Sequence, residues 1–189
     1  MNYEKITFGC RYGSYLGNFF CSTEKGSLTI QPKVGLNIAS LTDFDDSDPR
    51  FGVVAGAELM YQATDMVGLS FGALYSMQGA KYDKATCKLD YINIPVLANV
   101  YVAPGFAVKL GLQPGFNVNS KAKAKSNSVA VEADMDAKTV DLSIPIGLSY
   151  EFSNFVIDGR YNWGVTKVAK DSDSKNSVFQ ITLGYKLPL

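Results

Sequence analysis

The chain contains no histidine, and this absence excludes several classes of enzyme site. A Ser-His-Asp triad, a Cys-His pair and a His-ligated zinc site all require an imidazole. The three cysteines, Cys10, Cys21 and Cys87, form no CxxC pair and leave one thiol over, so they indicate neither a zinc knuckle nor a disulfide framework. We therefore expect a protein that is not an enzyme and that has no cofactor and no catalytic metal.

The sequence also lacks any apolar run of about 18 residues, the length that a membrane-spanning helix needs. Neither charge is in excess, because 18 Lys and Arg balance 18 Asp and Glu, so nothing indicates nucleic acid as a partner. Residues 1–25 lack the basic and apolar regions of a secretory signal peptide, so export of this chain would require a signal that has been removed.

From residue 28 onward, apolar and polar residues alternate with the two-residue period of a β-strand. In the fifth segment, for example, Val108, Leu110 and Leu112 alternate with Lys109 and Gly111. The eight segments that show this alternation are 30–38, 51–62, 67–78, 92–102, 108–117, 140–152, 155–165 and 179–187. We expect residues 28–189 to form one all-β domain, preceded by a segment, 1–27, of uncertain structure.

The connections between these segments alternate in length. Short turn sequences lie at 63–65, 103–105 and 153–154, whereas the other connections, at 42–50, 79–88, 119–139 and 167–176, are longer and polar. Short turns at one rim and long loops at the other are typical of outer-membrane barrels. An antiparallel up-and-down barrel of eight strands is therefore the predicted fold.

The size of such a barrel predicts which face points outward. The apolar faces carry about forty bulky side chains, whereas an eight-stranded barrel is only just wide enough for side chains to fill it. The apolar faces must then surround the barrel, and in water they would aggregate. We therefore predict that the barrel spans the bacterial outer membrane and contacts the lipid bilayer and lipopolysaccharide.

Aromatic residues of the outward faces gather near both ends of the strands, as interfacial girdles do. The residues assigned to the girdles are Tyr61, Tyr150, Phe155 and Tyr185 at the tight-turn rim, and Tyr75, Phe116 and Trp163 at the loop rim.

Charged residues fall on the inward faces in equal numbers of each sign. Because buried charges must be paired and hydrogen-bonded, they predict a lumen that is plugged by ion pairs and contains no open pore. The residues assigned to this network are Lys33, Glu58, Lys109, Asp141, Glu151, Asp158, Arg160 and Lys186.

Four short segments resemble the PorT-like outer-membrane β-barrel family of Bacteroidota. They are Lys33–Asn37, Tyr91–Leu97, Gly111–Gly115 and Ile181–Leu187, and the resemblance covers about residues 28–189. It implies an eight-stranded barrel, similar to OmpA-type and OmpX-type barrels, with both termini on the periplasmic side and no catalytic residues.

Three further features have both a functional and a structural interpretation. The acidic run 43–48 could bind calcium or ions that bridge lipopolysaccharide, or be a solvated loop. Lys121, Lys123 and Lys125 could meet acidic sugars or phosphates, or belong to a mobile loop. Residues 3–20 could add a strand, or lie at the periplasmic rim.

Two functions from different classes remain open. The first is a structural or interaction protein whose surface loops contact an extracellular or periplasmic protein partner while the barrel anchors it. The second is a small-molecule carrier or binding barrel with a lumenal or lateral pocket. They differ in whether the lumen is full.

Overall fold

The computed structural model describes residues 25–41, 48–82, 85–126, 129–134, 139–167 and 175–189, and the regular elements in these ranges are β-strands. No helix in this part of the chain is long and apolar enough to cross a membrane. The strands are β1 (Leu28–Leu41), β2 (Asp48–Gln62), β3 (Val67–Tyr82), β4 (Ala85–Asn93), β5 (Val96–Ala103), β6 (Phe106–Ser126), β7 (Val129–Asp134), β8 (Val140–Phe152), β9 (Phe155–Lys167), β10 (Lys175–Tyr185) and β11 (Leu187–Pro188).

These strands form a closed antiparallel barrel of eight, as the sequence predicts. β4 and β5 are two parts of one barrel strand, which is interrupted at Ile94 and Pro95. β7 and β8 likewise pair with successive parts of β6 and count as one strand of the barrel. β11 continues β10 along the first strand. The register from Lys33 opposite Gly184 to Leu41 opposite Asn176 joins β1 to β10 and closes the barrel. Closure leaves no sheet edge at membrane depth, so every strand of the wall has two neighbours.

Tight turns connect the strands at one rim, at the positions that the sequence predicts. Thr64 stabilises the turn between β2 and β3, because its hydroxyl oxygen accepts from the backbone N–H groups of Met66 and Val67. Gly105 and Ser153 have φ angles of 73° and 54°, which let the chain reverse between β5 and β6 and between β8 and β9.

The strands extend further at the opposite rim than the sequence analysis predicts. The expectation of long loops at 79–88 and 119–139 is wrong, because β3 reaches Tyr82, β4 begins at Ala85, and β6 and β7 form a hairpin. The alternation of lysine with alanine in β6 has the period of a strand, but its high polarity resembles that of a loop. Residues 1–24, which include Cys10 and Cys21, and most of the acidic run 43–48 lie outside the described residues.

The two faces of the wall differ sharply in chemistry. On the outside, Leu110 is 54% exposed and Trp163 is 56% exposed, whereas the neighbouring inward residues Lys109 and Arg160 are 5% and 1% exposed. The same alternation is seen along β8, where every second residue from Asp141 to Glu151 is less exposed than its neighbours. The apolar side therefore faces outward, which confirms the geometric argument from barrel width.

We predict that a charge on the outer wall destabilises the barrel according to its depth. Leu110 lies about midway between Phe106, at the tight-turn end of β6, and Phe116, at the loop-rim girdle, and Leu110→Arg should lower the free energy of unfolding in lipid by about 2–4 kcal/mol. The matched control is Val102→Arg, at the tight-turn end of β5, where the wall is equally exposed and the cost should be about 0–1 kcal/mol. Urea unfolding in liposomes measures both variants, and equal costs would contradict a membrane-embedded wall.

Candidate functional site: the charged lumen

Five charged side chains from four strands meet in the middle of the lumen and form what we call the central network. The Nζ of Lys33 lies 2.5 Å from Oε2 of Glu58 and 3.4 Å from Oδ2 of Asp158. Arg160 donates from Nη2 to Oε1 of Glu58 and from Nε to Oδ1 of Asp158, both at 2.9 Å. Lys109 also donates to Asp158. The two carboxylates are thus shared among three cations that come from β1, β6 and β9.

Glycines on neighbouring strands make room for this network. A Cβ on Gly72 would lie 2.6 Å from the Cγ of Glu58, and one on Gly147 would lie 2.7 Å from the Cβ of Arg160. Gly184 is similarly close to the Cγ of Lys33, at 3.0 Å. The lumen is so narrow that a long charged side chain on one strand requires the absence of a side chain on the strand beside it.

A second group of polar side chains occupies the lumen at the tight-turn end. Lys186 and Glu151 form an ion pair of 2.5 Å, and the Tyr101 hydroxyl donates to the same carboxylate at 2.8 Å. The Sδ of Met60 accepts from the Gln31 amide at 3.1 Å. This group fills the lumen at the tight-turn end, on one side of the central network.

Asp141 lies apart from the other residues that the sequence assigned to the network. It is on the loop side, where its Oδ2 accepts from Asn176 at 2.8 Å and its Oδ1 accepts from the Thr166 hydroxyl. Arg160 of the central network lies opposite Gly147 of β8. Gly147 is six positions from Asp141, so the two levels are separated by about 20 Å of extended strand. Asp141 therefore cannot contact the central network, which has three cations and two carboxylates.

Sequence reasoning missed two charged residues of the loop side. Arg50 is 7% exposed and donates to the backbone oxygen of Gln78, and Asp90 is 5% exposed and accepts from Asn119 at 2.9 Å. The predicted second segment begins at Phe51, which points outward. Extending it by one residue would have predicted that Arg50 points inward, because successive side chains alternate between the two faces. Asp90 is adjacent to a register shift in β4, so simple alternation does not predict its direction.

The lumen also contains apolar residues that the sequence analysis did not assign. They lie on both sides of the central network and are at most 3% exposed: Val54, Met60, Leu74, Leu97, Val156 and Val178. They occupy inward positions of β2, β3, β5, β9 and β10, and they fill the parts of the lumen between the polar side chains.

A small polar cavity, which we call the loop-side chamber, lies beside Asp141 and Val178 on the loop side of the lumen. It has room for about one water molecule, and its lining residues are Gln78, Asn93, Gln113, Gly115, Asp141, Ser143, Asn162, Asn176 and Val178. Seven of these nine residues have side chains that can donate or accept hydrogen bonds, so the chamber is suited to a water molecule or a single ion.

The aromatic residues assigned to the girdles lie on the outer surface at the two ends of the wall. The ring centroids of Phe155 and Tyr185 are 5.2 Å apart in an edge-to-face contact at the tight-turn rim. Phe116, Tyr75 and Trp163, at the other end, are 41%, 44% and 56% exposed. This position suits side chains that contact the lipid headgroup region.

The comparison with known proteins agrees with this architecture. Residues 20–170 match the family described as outer membrane protein beta-barrel domain. The chain belongs to this family. No curated protein matches the sequence. As a member of an outer-membrane barrel family, the protein resides in the bacterial outer membrane.

Solved outer-membrane barrels share the fold at low sequence identity. Ail, the attachment invasion locus protein of Yersinia pestis, is 17% identical, with a TM-score of 0.52 and coverage of 87% of this chain and 100% of that chain. Neisserial surface protein A is also 17% identical, with a TM-score of 0.55 and coverage of 86% of this chain and 100% of that chain. These likenesses support the fold of this family member.

We predict that the glycine opposite Arg160 is needed for stability. Gly147→Ala places a methyl group within 2.7 Å of Arg160 and within 2.6 Å of the Gly159 backbone oxygen, and should lower the free energy of unfolding by about 1–3 kcal/mol. Gly159→Ala is the matched control, because nothing lies within 4 Å of its Cβ. Denaturant unfolding monitored by the heat-dependent gel shift measures both, and an unaffected Gly147→Ala would contradict the packing of the network.

Proposed function

We propose that this protein is a closed outer-membrane anchor that presents strands and loops for interaction at the cell surface. The observation that carries the proposal is the central network, whose five side chains are at most 6% exposed and are held together across the lumen. A continuous water path would require these charges to separate inside a low-dielectric wall, which is costly. The barrel is therefore suited to anchoring and poorly suited to conduction.

The hairpin of β6 and β7 supports an interaction role. β6 continues beyond Phe116, at the loop-rim girdle, as far as Ser126, which is about 33 Å of extended strand. The backbone register pairs β6 with β7 from Lys121 opposite Asp134 to Ser126 opposite Val129, so the two strands form a continuous hairpin beyond the wall. A protein partner and lipopolysaccharide are the contacts that we propose for the extended strands.

The proposal includes no enzymatic role. Glu58 and Asp158 are the inward carboxylates closest to each other, and both are occupied by Lys33 and Arg160. A carboxylate pair that hydrolyses a substrate needs a cleft between its members. Hydrolytic activity that is lost on changing either carboxylate would refute this part. The PorT-like branch and an origin in Bacteroidota also remain proposals, which rest on the four short segments quoted above.

The alternative is a carrier of small polar solutes, and the loop-side chamber is the observation that favours it. The chamber has a mostly polar lining and lies on the loop side of the central network. Val178 lines it, and Gln180, two positions along β10, lies opposite Arg160 of the central network. A carrier would therefore need the central network to rearrange, whereas an anchor would not.

We predict that the protein in planar bilayers shows no large, stable conductance. Glu58→Ala combined with Arg160→Ala removes one carboxylate and one cation together, empties the centre of the lumen and should raise conductance severalfold. The matched control, Glu151→Ala with Lys186→Ala, removes an ion pair at the tight-turn end and should leave the central block in place. Large conductance of the unmodified protein, or uptake of small solutes into liposomes, would favour the carrier.

We also predict the orientation of the barrel. An epitope inserted between Ser126 and Val129, at the tip of the β6–β7 hairpin, should be labelled by antibody on intact cells. The same epitope inserted at Pro104 and Gly105, in a tight turn, should be labelled only after the outer membrane is made permeable. The reverse pattern would place the hairpin in the periplasm and refute a surface interaction role.

A further inference from the structure

Asp141 is a buried carboxylate without an ionic partner. Its residue is 8% exposed, and among the residues that the structure describes it makes no ion pair. Its hydrogen-bond donors are neutral, namely the hydroxyl of Thr166 and the amide of Asn176. Buried charges in proteins are generally paired or coordinate metals, so a carboxylate with only neutral donors favours a nearby cation.

Two buried amide oxygens of the chamber also lack a partner. The Nε2 of Gln113 donates to the Ser143 hydroxyl, and the Nδ2 of Asn162 donates to Oε1 of Gln180, both at 3.4 Å. These bonds assign the NH₂ groups and leave Oε1 of Gln113 and Oδ1 of Asn162 as buried acceptors without a donor. Both residues are at least 96% buried. Unsatisfied carbonyl oxygens that face a cavity indicate a missing donor or cation.

The charges around the chamber favour a cation. Asp141 is the charged residue of its lining. Among the buried loop-side residues that the structure describes, the other charged ones are Arg50, which donates to the Gln78 backbone oxygen, and Asp90, which accepts from Asn119. Neither of them lines the chamber, so the carboxylate of Asp141 sets its charge. Asn93 differs from the other lining residues, because its unpartnered buried atom is Nδ2, which is a hydrogen-bond donor and not an acceptor.

We propose that the loop-side chamber binds one hard metal cation through Asp141 and Gln113, whose strands pair side by side at this level, with water completing its shell. Carboxylate and carbonyl oxygens are the ligands that hard cations such as calcium prefer. No cluster of three acidic, histidine or cysteine residues exists in the described part of the chain, so most of the ligands are neutral. The binding of calcium is then weak, with a dissociation constant of roughly 0.1–1 mM, as in extracellular sites.

The experiment measures terbium luminescence of the full chain, folded in a zwitterionic detergent with choline as the background cation. Terbium replaces calcium at oxygen sites, and Tyr91 is close enough to excite it, because its ring lies 3.5 Å from the position of a Cβ on Gly115 in the chamber wall. Calcium, magnesium and sodium are then added as competitors. Calcium should displace terbium at millimolar concentration, and effective displacement by sodium alone would identify a monovalent site.

The variants separate the chamber from the acidic run 43–48 and from a purely structural effect. Asp141→Asn should weaken terbium and calcium binding at least about tenfold, since changes even to residues that only support metal ligands cost 10–100-fold. Asp90→Asn, a buried carboxylate outside the chamber lining, is the matched control and should keep the affinity of the parent protein.

If Asp141→Asn does not fold, Gln113→Met gives the same test. It removes one carbonyl oxygen at similar side-chain volume and should cause a smaller loss of terbium and calcium affinity. Equal affinities in the parent, Asp141→Asn and Gln113→Met proteins would place any bound ion elsewhere and overturn the proposal. The absence of luminescence in the parent protein would also overturn it. Neither result would bear on the closed lumen, because the central network shares no residue with the chamber.

Discussion

The width of an eight-stranded barrel is the constraint on which the rest of this structure depends. The side chains of one face of each strand are enough to fill the interior, so the large apolar residues on the other face of the eight strands must point outward. An apolar outer wall is stable in lipid and insoluble in water, and the closed wall pairs its backbone groups internally. Location in the outer membrane therefore follows from packing, together with the membership of the family.

The same constraint shapes the interior. Glu58 and Arg160 fit across the lumen because Gly72 and Gly147 stand beside them without side chains. The central network joins residues separated by 25, 102 and 125 positions in the sequence, so it ties β1, β2 and β9 together. Buried ion pairs often add little net stability, because desolvation offsets the attraction. We propose that their role here is to fill the lumen with groups that only one register of the strands can pair.

The distribution of charge divides the lumen into three levels. At the tight-turn end Lys186 and Glu151 form an ion pair, and in the middle three cations share two carboxylates. On the loop side Asp141 has no ionic partner among the residues that the structure describes. A solute that enters from the loop side would meet polar amides and one negative charge first, and then a positive centre. The levels differ in chemistry, and this difference is what makes the loop-side chamber a separate site.

The sequence predicts the fold well because strand alternation and turn residues are local signals. The inward positions of Lys109 and Arg160 follow from the pattern alone. Contacts across the lumen do not, because they depend on how far each strand is shifted along its neighbour, and this shift places Asp141 about 20 Å along β8 from the level of Arg160. The β6–β7 hairpin was predicted as a loop because its alternation involves lysine and alanine, which do not separate an apolar face from a polar one.

The central claim, that the apolar face of each strand contacts lipid, is tested most directly by spin labels placed one at a time from Val108 to Leu112. The native cysteines are first replaced, and the accessibility of each label to oxygen and to a water-soluble nickel complex is measured in liposomes. The account predicts high oxygen accessibility at positions 108, 110 and 112 and low accessibility to both reagents at 109 and 111. Accessibility that does not alternate, or that is reversed between the two sets, would contradict it.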